Sequence, residues 1–407
     1  MKPDMNAATK EVPDRGESVS LMEPMRVSET SPHRGDLADL ALELAAHSAG
    51  FRRSLPEGVS TALADLVRAM NCYYSNLIEG HDTHPVDIER ALKNDYSTNA
   101  GQRILQLEAK AHITVQKWID EGGLRGRATS LDGICEIHKR FGELLPEELL
   151  WTEDPESGER IRVVPGALRS RDVKVGQHIP VSPGAVPRFL RHFEKAYSGL
   201  GKMETVIAAA AAHHRLLWIH PFLDGNGRVA RLMSHAMLLE VLDTGGVWSI
   251  ARGLARNVRS YKSHLGRCDL PRRNDLDGRG NLSEEGLASF THFFLQTCLD
   301  QARFMEELVQ PDRLRDRILL WVEEEIRAGT LPRKAGRVLE AILYRGELPR
   351  GDVPPLLGTS ERHARRVVAA LIERGVVASK NTRAPLRLAF PARLASRWMP
   401  GLFPEQG

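Results

Sequence analysis

A mostly α-helical protein is predicted by the sequence, with a single β-hairpin set into a helical bundle and a small basic module at the C-terminal end. Three observations predict it. Apolar residues recur at three- and four-residue spacing over most of the 407-residue chain. Period-two alternation is confined to short stretches, such as Val173 and Val175, and to the region near the C-terminus. Charge is uneven: from Leu331 to Gly407 there are fourteen Lys and Arg against six Asp and Glu, a net of +8, so the residues before Leu331 carry −5 of a chain total of +3. A basic module on a mildly acidic body suits a polyanionic partner.

Each element follows from local pattern. Residues 1–34 are rich in Pro, Ser and Glu without an apolar period, and are expected to be disordered. N-terminal helices fill 35–95. Leu37, Leu40, Ala41 and Leu44 share one face, and Leu63, Leu66, Val67, Met70, Tyr74 and Leu77 share another. Pro56-Glu57-Gly58 separates these two helices, and the second stops at Gly80. The main domain spans 96–312. It carries helices over Ala100–Glu121, Ser130–Phe141, Pro187–Ser198, Met203–Trp218, Arg228–Leu242 and Leu282–Leu308, after a shorter one at Pro85–Asn94. A hairpin is expected at Leu168–Val181, punctuated by Gly176. A linker helix covers 313–330 and the basic module 331–400.

Composition excludes several classes. The longest purely apolar run, Val206–Ala212, is too short to cross a bilayer, and no signal-type segment opens the chain. A cytoplasmic protein without membrane association is expected. Cys72, Cys135, Cys268 and Cys298 are widely spaced, which fits reduced thiols rather than a disulfide framework or a zinc site.

The chemistry concentrates in His220-Pro221-Phe222-Leu223-Asp224-Gly225-Asn226-Gly227-Arg228-Val229-Ala230-Arg231. The loop feeds a helix, whose first N–H groups and dipole favour phosphate. Gly225 and Gly227 permit positive φ and close approach, so successive N–H groups can form an anion nest. Arg228 and Arg231 are three apart, and their forks match phosphate oxygens. Asp224 is the one carboxylate in the loop, enough for Mg²⁺ when phosphates supply other ligands. His220 is the base, with a reference pKa of about 6.5. Taken singly, each has a plain reading: a packed His, a turn, a solvated Arg pair. Their order and spacing together reverse that. Phe222 and Pro221 are assigned to structure.

The stretch resembles the signature of the Fic family, HPF-x-[D/E]-G-N-G-R-x-x-R, at all nine specified positions. The resemblance implies a Fic-type helical bundle, with the hairpin as a flap that aligns a target segment by main-chain pairing. It implies ATP as substrate and Mg²⁺ as cofactor, with AMP moved to a Ser, Thr or Tyr hydroxyl of a protein target, the enzyme itself included. In that reading His220 deprotonates the hydroxyl and Asp224 holds Mg²⁺ at the α- and β-phosphates. Gly225, Asn226 and Gly227 cradle phosphates, Arg228 takes the β-phosphate and Arg231 the γ-phosphate. Gly227 favours nucleotidyl over phosphate transfer, since the related Doc toxins carry Lys there. Kinase, UMP and phosphocholine chemistry remain alternatives, as does a DNA-binding regulator whose Fic domain only senses nucleotide. The intact His220 argues against a pure sensor.

Ser75-Asn76-Leu77-Ile78-Glu79-Gly80 is similar to the family's inhibitory motif, [S/T]-x-x-x-E-[G/N], and ends an amphipathic helix ahead of the core. The resemblance implies that Glu79 pairs with Arg231 and holds the enzyme off, with Ser75 on the same helix face. His213 and His214 precede the signature, one expected inside and one solvated. Asp269–Asn281 reads as a polar loop.

In the basic module, helices are expected at Lys334–Tyr344 and from Thr359, as N-cap, to Arg374, with a short element at Val353–Leu357. Strands follow at 376–378 and 385–388. The order looks like a winged helix-turn-helix. Arg362, Arg365 and Arg366 lie opposite the Ala364–Val367–Val368–Leu371 face, and Lys380 and Arg383 fall in the wing. DNA is one partner this suits and protein another. A homodimer is left open by the sequence.

Overall fold

The computed structural model describes residues 12–154 and 158–404. Helices dominate. In chain order they are α1 (Arg34–Ser54), α2 (Glu57–Ile78), α3 (Pro85–Leu92), α4 (Ala100–Asp120), α5 (Leu131–Leu144), α6 (Val186–Tyr197), α7 (Lys202–Ile219) and α8 (Asn226–Leu242). Then come α9 (Ala251–Arg256), α10 (Val258–Cys268), α11 (Glu284–Leu308), α12 (Pro311–Arg327), α13 (Ala335–Arg345), α14 (Val353–Leu357), α15 (Glu361–Glu373) and α16 (Ala395–Trp398). The strands are β1 (Trp151–Glu153), β2 (Arg160–Arg162), β3 (Glu347–Leu348), β4 (Val377–Ala378) and β5 (Leu386–Leu388). Among the described residues no helix is long and apolar enough to cross a membrane.

The chain divides into two compact units. The first contains the described residues up to Leu37, together with Leu124–Met237 and Arg259–Phe293. Its centre is α7. Val206 to Ala212 are each at most 3% exposed, and the five consecutive alanines let neighbours approach the backbone closely. A helix apolar all round is a core helix. Phe189, Leu190 and Phe193 of α6 are fully buried in the same unit.

Residues 12–33 correct the expectation of disorder; residues 1–11 lie outside the described residues. The segment is held by polar contacts that no local pattern announces. Asp14 pairs with Arg188, and Arg15 with Asp172 at 3.0 Å. Glu17 accepts from the Ser182 hydroxyl at 2.6 Å and from its N–H at 2.7 Å. The Pro24 carbonyl accepts two bonds from Arg215, and the Ser28 hydroxyl donates to Glu284. Met22, Met25 and Val27 are buried at irregular spacing.

The expected hairpin at Leu168–Val181 lacks named strands. Its pairing is one antiparallel bridge, Val175 with His178. The regular hairpin of this unit lies earlier, β1 against β2 with Trp151 opposite Arg162. Helices α9 and α10 were also not foreseen.

The second unit contains Ala38–Gly123, Leu238–Val258 and Phe294–Gly407. Helix α2 buries Leu63, Leu66, Val67 and Met70, as its periodicity predicts. The C-terminal module belongs to this unit. Strand β5 lies between β3 and β4, antiparallel to both, with Leu386 opposite Leu348 and Leu388 opposite Val377. Ser360, not Thr359, caps α15, accepting from the His363 N–H at 3.4 Å. Past the module, Trp398 is 1% exposed and meets Trp321 edge-on at 5.3 Å, while the Tyr74 hydroxyl donates to the Leu402 carbonyl.

The α2 start is a tight fit. A Cβ on Gly58 would lie 2.0 Å from the Gly346 carbonyl oxygen, a backbone atom that cannot rotate away. Gly58→Ala is expected to destabilise the protein by about 1–3 kcal/mol. A urea denaturation midpoint equal to that of the wild type refutes it.

Candidate active site

The signature folds as a reversal between α7 and α8, inside the first unit. Helix α7 ends on His220, which takes the left-handed conformation (φ 50°, ψ 64°) and closes its last turn through its N–H to the Leu216 carbonyl at 3.0 Å. A non-glycine residue there is uncommon. The loop is then locked by Asn226. Its Oδ1 accepts from the Phe222 N–H at 3.0 Å and its Nδ2 donates to the Phe222 carbonyl at 2.9 Å. Phe222 is fully buried and stacks on His138, ring centroids 3.9 Å apart.

Helix α8 starts at Asn226, and its first closing bond runs from the Val229 N–H to the Gly225 carbonyl at 3.0 Å. The N–H groups of Asn226, Gly227 and Arg228 therefore have no acceptor within the helix. Gly225 has φ +81°, as expected, but Gly227 is helical, so the anion-binding geometry is a helix N-terminus rather than a nest of two left-handed glycines. The Asn226 side chain is committed to the loop, which leaves its backbone N–H as the group able to face a phosphate.

His220 is set up as a base. Its Nδ1 lies 3.3 Å from the Leu217 carbonyl, which can only accept, so Nδ1 carries the hydrogen and the neutral ring leaves its lone pair on Nε2. Burial, reinforced by the positive charge of Arg169 and by His178, lowers its pKa to about 4, against a smaller upward pull from the Leu217 hydrogen bond. The ring is neutral at pH 7. Asp224 is half exposed at the lip, 3.0 Å from an Arg228 nitrogen. Arg228 is 6% exposed, with its guanidinium 5.0 Å from the centre of the Phe141 ring. Arg231 is 4% exposed one turn further on.

Asp224 fits Mg²⁺ as a hard oxygen donor beside a phosphate-binding helix end. No group of three or more His, Cys, Asp or Glu among the described residues could hold a metal, so substrate oxygens and water would complete the shell.

Two residues that sequence reasoning missed join the signature to its surroundings. His138 accepts from the Gly166 N–H at 2.8 Å through Nδ1 and stacks on Phe222 of the signature. Arg169, 2% exposed, donates from Nε to the His220 carbonyl at 2.8 Å. Neither stands in a motif; the place of Arg169 within the expected hairpin is a signal that could have drawn notice, and His138 on α5 offers none. His213 and His214 correct the expected inside–outside pair, since both are buried. His213 bonds Ser234 and Tyr261, and His214 lies between Arg215 and Asp269.

Ser75 and Glu79 belong to the second unit. Ser75 is buried on α2, and Glu79 is its exposed C-cap. The helix ends in a Schellman motif: His81 N–H to the Asn76 carbonyl at 2.9 Å, Gly80 N–H to the Leu77 carbonyl at 3.1 Å, and φ +88° at Gly80. His81 then pairs at 2.7 Å with Glu108, a fully buried carboxylate.

A family model described as Fic/DOC matches residues 128–238. This segment is a Fic/DOC domain. The chain is 32% identical over 125 residues to a protein adenylyltransferase Fic of Drosophila ananassae, 30% of this chain and 22% of that one. It is 29% identical over 172 residues to one of Nematostella vectensis, 41% of this chain and 36% of that one. The chain thus spans well under half the length of these curated relatives. A Fic family protein of Desulfovibrio desulfuricans G20 shares the fold, with a TM-score of 0.51 at 14% identity over 89% of this chain and 98% of that one.

Four histidines of this unit are held neutral mainly by burial: His138, His214 and His220 at about 4, and His213 at about 3. The unfolded chain protonates near pH 6.5, before the folded one does. Stability present above that pH is therefore expected to fall as pH drops from about 6.5 towards 4. Urea midpoints across that window check it, and a flat profile refutes it.

Proposed function

We propose that this protein is an adenylyltransferase that moves AMP from ATP to a hydroxyl side chain of a protein. The observation that carries this reading is the 3.3 Å contact of His220 Nδ1 with the Leu217 carbonyl, which assigns the hydrogen to Nδ1 and leaves Nε2 basic, in the loop that leads into a helix end suited to phosphate. The target hydroxyl oxygen attacks the α-phosphorus, its proton passes to Nε2, the Pα–O–Pβ bond breaks, and pyrophosphate leaves. The N–H groups of Asn226, Gly227 and Arg228 bind phosphate oxygens, with Arg228 on the β- and Arg231 on the γ-phosphate. Mg²⁺ held by Asp224 supplies charge neutralisation. Asp224, now 3.0 Å from an Arg228 nitrogen, is the residue that would hold the metal. The names of the relatives, protein adenylyltransferase Fic, support the donor and the kind of acceptor.

The Ser75–Glu79 segment is the brake in this reading, supported by its sequence and by the firm end of α2. Glu79→Gly incubated with Mg²⁺ and α-labelled ATP is expected to label protein, and His220→Ala in that background or removal of Mg²⁺ to abolish it. Label from the γ position alone overturns the reading in favour of a kinase. No label from either position points to another donor or a nucleotide sensor. Because His220 titrates low, the acid limb of the rate profile is expected near pH 4–5 rather than 6.5; a limb at 6.5 refutes that assignment.

For the C-terminal module we propose duplex DNA as partner. The helix α13, strand β3, helices α14 and α15 and the β4–β5 hairpin follow one another in winged-helix order. Arg362, Arg365 and Arg366 are exposed on α15, while Ala364, Val367, Val368 and Leu371 are buried behind them, and Lys380 and Arg383 are exposed in the wing. Such a helix suits the major groove. A fluorescently labelled random-sequence duplex is expected to bind in low salt. Replacing the three arginines with Ala should weaken binding and reduce the salt slope by about three. No binding in low salt, or binding that the triple variant leaves intact, overturns it in favour of a protein-docking role.

A further inference from the structure

Arg169 lies where the flap region leaves and rejoins the domain, and its side chain is spent entirely on backbone carbonyls. Nε donates to the His220 carbonyl at 2.8 Å, and Nη1 to the Arg171 carbonyl at 3.0 Å. Nη2 donates to the Val181 carbonyl and, at 3.5 Å, to that of Ile219. Its own N–H donates to the Pro221 carbonyl at 2.9 Å. One guanidinium thus joins three strands of chain: the outgoing limb at Arg171, the returning limb at Val181, and the turn that presents His220. The His178 ring adds a bond to the Trp218 carbonyl at 2.8 Å from the flap tip.

A buried cation with only carbonyl partners is an expensive choice for a staple. Burial lowers its pKa to about 10, so it remains charged at neutral pH. Its fork satisfies carbonyls in two directions at once, which a lysine ammonium on a flexible stem does not reproduce. The five contacts fix spacing rather than add apolar burial.

We infer that Arg169 is a positioning residue of the transfer reaction, setting the distance between the flap, which carries the target segment, and the His220 side chain that receives the proton. The inference rests on the adenylyl-transfer reading for what the flap delivers. Proton transfer requires the hydroxyl within roughly 3 Å of the base, and an error of about 1 Å costs on the order of a hundredfold in rate.

Arg169→Lys keeps the charge and removes the fork; Arg169→Met removes both. Hydrogen exchange of the full-length protein reads the placement directly. In Arg169→Lys, amides in residues 167–182 are expected to exchange about tenfold faster or more, as befits lost bonds to a charged group, while residues 226–242 exchange as in the wild type. In a Glu79→Gly background, labelling from α-labelled ATP at saturating ATP should fall about a hundredfold, with the dissociation constant for ATP unchanged within about twofold. Wild-type exchange across 167–182 overturns the inference, and so does a rate loss matched by an equal loss of ATP affinity. If Arg169→Met unfolds, Arg169→Lys decides. If Glu79→Gly gives no label at all, the adenylyl-transfer reading fails, while the exchange result still decides whether Arg169 holds the flap.

Discussion

The left-handed turn at His220 is the constraint on which the site depends. Helix α7 must stop there, because φ 50° cannot continue a right-handed helix. The chain then has five residues in which to reverse and start α8 at Asn226. That reversal places a base and a helix N-terminus side by side, a few residues apart in sequence. A residue with a Cβ in this conformation has to be held from outside. The Asn226–Phe222 pair of hydrogen bonds, the burial of Phe222 on His138 and the Arg169 bond to the His220 carbonyl do so.

Electrostatics of the first unit follow from the same crowding. Arg169, Arg215, Arg228 and Arg231 are each no more than 6% exposed, and the buried His138, His213 and His214 and the part-buried His220 lie in the same unit. Burial is the main penalty on a charged imidazole here, and the nearby cations add to it, so the histidines stay neutral. His220 is kept unprotonated mainly by its burial, with the Arg169 cation adding to the effect, and so can accept a proton at neutral pH. His214 shows how this is arranged locally. Arg215 donates to its Nδ1 at 2.6 Å, which leaves Nε2–H to meet Asp269.

Much of this was legible in the sequence because it is local. Helix faces repeat every three or four residues, and the signature is contiguous, so α2, α7, α8 and α15 and the residues from His220 to Arg231 could be placed from spacing alone. What could not be read depends on partners distant in sequence. The segment 12–33 looked disordered because its order comes from Arg188, Ser182, Arg215 and Glu284, more than 150 residues away. The flap looked like a hairpin from its alternation, yet one bridge is all its pairing supplies, and its limbs are held by its own Arg169 and by Arg15 from the N-terminal segment. His213 and His214 looked like a buried–exposed pair because adjacent residues on a surface helix usually are; on a core helix both turn inward. Gly227 and Asn226 show the limit within the signature itself: residue type permits a role, and the helix start decides which atom performs it.

The end of α2 shows how a segment suited to inhibition can be made firm without large burial of its own acidic residue. Glu79 is exposed and caps the helix, so no apolar packing fixes its side chain. The backbone beneath it is fixed instead. The two Schellman hydrogen bonds leave Gly80 in a conformation that costs glycine little, and the chain then reaches His81, tied to Glu108. The 2.7 Å contact of His81 with the buried Glu108 carries the fixed geometry past the helix end. The rigid backbone keeps the Glu79 charge at a defined place. On the inhibitory role proposed for this segment, a firm backbone is what Glu79 would need, since a frayed helix end would not hold the charge anywhere in particular.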